Sequence, residues 1–163
     1  MADVVERMRP HGLISLLPDA DQPPTPLEIR KGGHLRIPID DIDEPQRGYT
    51  APAREHVVKL VAFLRAVPPT APLVIHCLAG VSRSPAAALV ALVLDAPGRE
   101  ADAAHVLREA SPFASPNRLL VAIADEVLGR KGALVAALDA MGEPDWSRDF
   151  EAFLLPRQLS SRR

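Results

Sequence analysis

An α/β domain with a small, mostly parallel central sheet flanked by helices is what this chain of 163 residues predicts. Three observations predict it. Short apolar runs suited to strands occur at residues 12–17, 34–39 and 72–77. The order of elements is strand, strand, helix, strand, and then a run of helices. The third run is apolar on both faces, as a central parallel strand would be.

Each element has its own justification. "GLISLL" (12–17) ends at Pro18 and Asp19 and reads as a buried strand. "PDADQPPTP" follows as loop. In "HLRIPI" (34–39), Pro38 pushes the strand toward an edge or a strand end. "DDIDEPQRG" (40–48) is an acidic loop. From 51 to 67, Val57, Val58, Leu60, Val61 and Leu64 form one apolar side, with Arg54, Glu55, Lys59 and Arg65 opposite. Thr50 is the expected cap of that helix, Pro52 fits its first turn, and Pro68 and Pro69 stop it. "PLVIHC" (72–77) is the third strand. Residues 84–94 are alanine-rich and hydrophobic all round, which predicts a buried helix. "DAPG" ends it, and a further helix spans 100–110 before Ser111 and Pro112. Ser115 then caps, and Pro116 starts, a helix to Leu128 that Gly129 closes. A last helix covers 133–141.

Residues 1–144 therefore read as a single catalytic-sized domain. The tail, 145–163, carries Trp146, Phe150, Phe153, Leu154 and Leu155, which can dock on the body or face a partner or a membrane surface; docking is the expectation, with "RQLSSRR" fraying. Aromatics make up only 4% of the chain, so Ala, Leu, Val and Ile must build the core. The 19 basic and 21 acidic residues give a net charge of -2, which offers no support for a nucleic-acid partner. A single cysteine excludes an intrachain disulfide and a cysteine-based metal cluster, and it fits a reducing compartment. The N-terminus has no apolar signal core, and the longest apolar run, nine residues at 86–94, is too short to span a bilayer. A cytoplasmic protein with no membrane partner is expected.

The chemistry concentrates in "VIHCLAGVSRSP" (74–85). A lone cysteine is ordinarily a small buried hydrophobe, but the neighbours of Cys77 reverse that reading. A strand ends at Cys77, a short loop follows, and a helix begins near Ser84 and Pro85. The sulfur thus lies beyond the carboxyl end of a parallel strand, where open α/β sheets bind ligands. A helix N-terminus favours the thiolate, which is the nucleophilic form. The N–H groups of Leu78, Ala79, Gly80, Val81, Ser82 and Arg83 can form an anion nest, with Gly80 supplying the backbone freedom a tight cradle needs. Arg83 offers a planar fork for two oxygens of a tetrahedral anion, and Ser84 can donate to the sulfur.

"HCLAGVSRS" resembles the His-Cys-x5-Arg-Ser signature loop of the protein tyrosine phosphatases, and most closely the compact dual-specificity type. "SPFASPNRLL" (111–120) is similar to that family's downstream "RP-x-x-x-PN" segment, with Ser111 in place of the usual arginine and without the glutamine expected later in that helix. The resemblance implies a three-layer dual-specificity-phosphatase-like architecture and a phosphatase that needs neither metal nor cofactor. It makes Cys77 the nucleophile, Arg83 and the loop N–H groups the phosphate site, and Ser84 the group that eases thiolate departure. It gives Asn117 a bracing role at the loop. His76, which strand alternation turns away from the sulfur, is left to steady the loop. The family's acid ends a strand written roughly "L-x-I-P-V-x-D"; "LRIPIDD" (35–41) selects Asp41, with Asp43 as runner-up. Asp40 is expected to cap a turn or pair with a base. His11, His34, His56 and His105 show no ligand spacing and read as ordinary surface or packing residues.

The expected reaction is hydrolysis of a phosphate monoester through a phosphocysteine. The substrate is a phosphorylated protein or a small phosphate ester, and phosphotyrosine leads because "LAGVS" carries no lysine. A rhodanese-like sulfurtransferase and a catalytically silent phosphate-binding module are the competing readings.

Overall fold

In a computed structural model, which describes residues 2–159, three strands form one sheet. They are β1 (Gly12–Leu17), β2 (His34–Pro38) and β3 (Leu73–His76), all parallel, in the order β2-β1-β3. The small parallel sheet flanked by helices is the α/β architecture that the sequence predicts. One detail differs. β1, not β3, is the central strand, and all six of its residues are buried. β3 is apolar on both faces for another reason. Its Leu73 and Ile75 face the helical layer, while Val74 packs on the opposite side with Val5, Leu13 and Ile29. Cover on both faces, rather than a central place in the sheet, dictates its composition.

That opposite side is covered by α1 (Ala2–Met8) and by the loop between β1 and β2, through Val5 and Ile29. α1 is not among the elements the sequence predicts. Seven residues are too few to show a helical period, and Arg9, at φ 43, and Pro10 end the helix at once.

The other layer holds α2 (Arg54–Ala66), α3 (Arg83–Val93), α4 (Glu100–Ala110), α5 (Arg118–Val127) and α6 (Ala133–Ala140). α3 runs through the middle of the core, with Leu89 and Val90 wholly buried against Leu107, Val121 and Leu134 of its neighbours. Two expected caps move. Thr50 does not cap α2, because its N–H donates to Asp40 Oδ2 (2.7 Å) and its carbonyl accepts from Asp40 N–H (2.8 Å). That pair closes the acidic loop and leaves Pro52 outside the helix. Ala53 takes the cap position, and His56 Nδ1 accepts its N–H at 3.1 Å. Burial lowers the His56 pKa, which keeps that nitrogen available as an acceptor. At α5 the cap is Asn117, not Ser115: its side chain accepts from Leu120 N–H at 2.9 Å.

Phe153, Leu155 and Leu159 of the tail pack against the main core, whereas Trp146, Phe150 and Leu154 stay exposed. Of the segment expected to fray, residues 160–163 lie outside the described residues. Among the described residues no helix is long and apolar enough to cross a membrane.

Candidate active site

β3 stops at His76, and the chain turns through residues 77–82 into α3. Gly80 makes the turn in the left-handed region, at φ 75, with open space where a side chain would point. Its role is therefore conformational: only glycine takes up that backbone without strain. None of the backbone N–H groups from Leu78 to Ser82 donates to another described residue. Leu78 and Ala79 lie at the rim, with Leu78 81% exposed, and Gly80 to Ser82 are half-buried.

Cys77 is only 8% exposed, and its Sγ lies 3.2 Å from Ser84 Oγ. Arg83, 4% exposed, opens α3. Its Nη1 donates to the carbonyl of Ile39 at 2.9 Å, just past the end of β2. That contact ties the guanidinium to the strand that leads into the acidic loop. Its Nε is buried without a hydrogen-bond partner and sits 3.7 Å from Asp41 Oδ2.

The three aspartates separate cleanly. Asp41 faces the loop: Ser82 Oγ donates to its Oδ1 at 2.6 Å, and Asn117 Nδ2 donates to the same oxygen at 3.2 Å. Asp40 is occupied by Thr50. Asp43 accepts from Leu119 N–H at 3.2 Å, in the first turn of α5, so it serves a helix terminus rather than the loop. Asn117 reaches two elements at once. Besides Asp41 it donates to the carbonyl of Ile42 at 3.2 Å, and its own N–H donates to the carbonyl of Ser82 at 3.2 Å. It holds the acidic loop against the turn into α3 while capping α5.

His76 points away from the sulfur. Its Nε2 lies 2.6 Å from Ser15 Oγ, and its Nδ1 lies 3.4 Å from the carbonyl of Cys77. Ser15 Oγ also meets His34 Nε2 at 2.8 Å, and His34 Nδ1 meets Thr25 Oγ1 at 3.1 Å. A polar line thus crosses all three strands and ends on the cysteine's backbone. Neither Ser15 nor His34 is among the site residues expected from the sequence. The signal was there: Ser15 is the one polar side chain in an otherwise apolar central strand, and a buried hydroxyl needs partners. Parallel pairing of β1 with β2 and β3 supplies them from distant segments.

Burial, the charge of Arg36 and then His76 push the pKa of His34 from 6.5 down to about 4. Burial likewise lowers that of His76, against the opposing hydrogen bond to the Cys77 carbonyl. Between pH 6.5 and about 4 the unfolded chain therefore binds more protons than the folded one. Stability is fully present above that window and is lost as the pH falls through it. The urea midpoint is expected to drop on acidification across this range, and to drop less in His34→Gln. Equal slopes for the two proteins would show that the line of side chains is not responsible.

A comparison with solved structures finds proteins of the same fold. DUSP15 aligns with a TM-score of 0.61 at 20% identity, over 86% of this chain and 85% of that one. Tk-PTP in its active form aligns at 0.54 and 21%, over 80% and 87%. A mouse putative dual specificity phosphatase complexed with zinc tungstate aligns at 0.53 and 19%, over 83% and 79%. No protein-family model matches the chain, and no curated protein matches it in sequence. The architecture is that of the dual-specificity phosphatases.

Proposed function

We propose that this protein is a cysteine-dependent phosphatase that hydrolyses phosphate monoesters through a phosphocysteine intermediate. The observation that carries the reading is the convergence on one loop of a thiol, an arginine edge and a carboxylate from a distant segment. Arg83 links them, holding Ile39 with one nitrogen and facing Asp41 with another. A sulfurtransferase has no use for the carboxylate. A silent binding module has no use for a hydroxyl 3.2 Å from the sulfur.

In the first step the Cys77 thiolate attacks phosphorus in line with the ester oxygen, forming the S–P bond as the P–O bond breaks. The loop N–H groups and the Nε–Nη2 edge of Arg83 hold the three remaining oxygens, whose charge grows in the transition state. Asp41 gives its proton to the leaving oxygen. In the second step ionised Asp41 takes a proton from water as the water oxygen attacks phosphorus. The S–P bond breaks, and the Ser84 hydroxyl stabilises the departing thiolate. Inorganic phosphate leaves. No step calls on a metal or an organic cofactor.

Phosphotyrosine on a protein is the leading substrate. Leu78, exposed beside the nucleophile, gives the rim an apolar surface suited to a phenyl ring. Phosphoserine, phosphothreonine and small phosphate esters complete the range. No nucleic-acid or membrane partner is proposed. The single cysteine supports a reducing compartment, the cytoplasm, as its location.

The choice of acid is testable directly. Asp41→Asn is expected to lower kcat on tyrosine phosphate by ~10²-fold or more. The loss should shrink on nitrophenyl phosphate, whose leaving group needs no proton. Asp43→Asn should leave kcat near the wild-type value, since an amide oxygen can still accept the Leu119 N–H. A larger loss in Asp43→Asn than in Asp41→Asn would transfer the role to Asp43.

A further inference from the structure

The segment from 145 to 153 has no part in the chemistry above, yet it lies across the turn that supports the phosphate loop. That turn runs from Ser111 to Asn117. Two of its N–H groups hold the loop from behind: Ser115 donates to the carbonyl of Val81 at 2.8 Å, and Asn117 to that of Ser82 at 3.2 Å. A cradle built of backbone N–H groups depends on the orientation of its peptide planes. A bond to the carbonyl of Val81 fixes the plane that carries the N–H of Ser82, and a bond to the carbonyl of Ser82 fixes the plane that carries the N–H of Arg83.

Something must hold the turn in its place, and two groups do. Arg108 of α4 donates through Nη1 to the carbonyls of Ser111 (3.4 Å) and Pro112 (2.6 Å). Through Nε and Nη2 it donates to those of Met141 and Gly142. The second group is the tail. Asp145 N–H donates to the same Pro112 carbonyl at 2.9 Å. Asp145 also gathers its own turn, accepting from Ser147 N–H and from Ser147 Oγ. From there the rings form a row. Trp146 lies 6.3 Å from Phe150, Phe150 lies 5.3 Å from Phe113, and Phe153 approaches Phe113 from another side at 6.2 Å. Phe113 is buried, while Phe150 and Trp146 are 54% and 58% exposed. Two large aromatic side chains held half in water, over a buried third, are there to cover it.

Trp146, Val81 and Ser82 share the wall of a cavity of about 430 Å³, with Ser115, Asn117 and Met141. The tail meets the supporting turn at Phe113 and Pro112.

We infer that residues 145–153 form a strap that positions the phosphate cradle, with Phe150 as its principal positioning residue acting through Phe113. The inference rests on the phosphatase reading, and its test separates the two. Three readouts are needed: the exchange rate of the Ser115 amide hydrogen, the inhibition constant of inorganic phosphate, and kcat on an aryl phosphate. Phe150→Ala is expected to speed Ser115 exchange, weaken phosphate inhibition and lower kcat by about tenfold. Phe150→Tyr, whose hydroxyl can project into solvent, should restore all three. Val5→Ala, a core truncation on the far face of the sheet, should lower the melting temperature by more than Phe150→Ala does and leave phosphate inhibition unchanged. That outcome would separate positioning from general stability. Unchanged Ser115 exchange in Phe150→Ala would overturn the strap, as would faster exchange with unaltered phosphate inhibition. A wild-type protein that neither binds phosphate nor turns over the ester would overturn the phosphatase reading and, with it, the strap's bearing on catalysis. The Ser115 exchange rates would still show whether the tail holds the turn.

Discussion

Cys77→Ser is expected to abolish hydrolysis of an aryl phosphate, by ~10⁴-fold or more, while retaining affinity for inorganic phosphate. The two effects come from different atoms. Turnover needs the sulfur, because a serine hydroxyl at the same place is a far weaker nucleophile near neutral pH. Anion binding needs the loop N–H groups and the Arg83 edge, none of which the substitution touches. Ser84 Oγ, 3.2 Å from the sulfur, can hydrogen-bond the introduced hydroxyl, so the site tolerates the change. Steady-state kinetics and a phosphate titration of the same preparation check both halves. Retained turnover would remove Cys77 from the mechanism. Lost phosphate affinity with an intact fold would mean that the sulfur, not the backbone, organises the cradle.

Arg83→Lys should be nearly as damaging, with kcat/KM falling by ~10³-fold and phosphate inhibition weakening in parallel. Lysine keeps the charge but not the geometry. On the proposed mechanism Arg83 performs two tasks from opposite edges of one plane. Nη1 satisfies the carbonyl of Ile39, and the Nε–Nη2 edge faces the cradle and Asp41. An ammonium cannot hold both positions. If it turns to the anion, the Ile39 carbonyl loses its partner and the strand leading to Asp41 loosens. If it stays on Ile39, the cradle loses its cation. Activity within tenfold of wild type would show that Arg83 acts as a simple point charge.

Local features were the most legible in the sequence. Cys77, Gly80, Arg83 and Ser84 lie within one strand–loop–helix unit, and their spacing alone brings them to one end of the sheet. The bounds of α4 agree with the sequence reading, because Glu100 to Ala110 stand between strong breakers. Asp41 required the resemblance to choose it from three neighbouring acids. The structure distinguishes them by partners that lie far along the chain, namely Thr50, Ser82 and Leu119. The caps of α2 and α5 were misplaced for the same reason. Thr50 and Ser115 look like caps locally, but tertiary hydrogen bonds to Asp40 and Val81 commit their backbones elsewhere. Ser15 and His34 stayed hidden because parallel register, which no local pattern reveals, sets them beside His76. The tail posed a different problem. Its aromatics suggested docking, but only the row from Trp146 to Phe113 shows which element they cover.

The covalent intermediate tests the central claim most directly. Wild-type enzyme mixed with excess aryl phosphate, quenched in acid within the first turnovers and digested, should yield one phosphorylated peptide, with the phosphoryl group on Cys77. The same treatment of Cys77→Ser should yield none. Hydrolysis that proceeds at the wild-type rate with no phosphoryl group ever found on Cys77 would contradict the account.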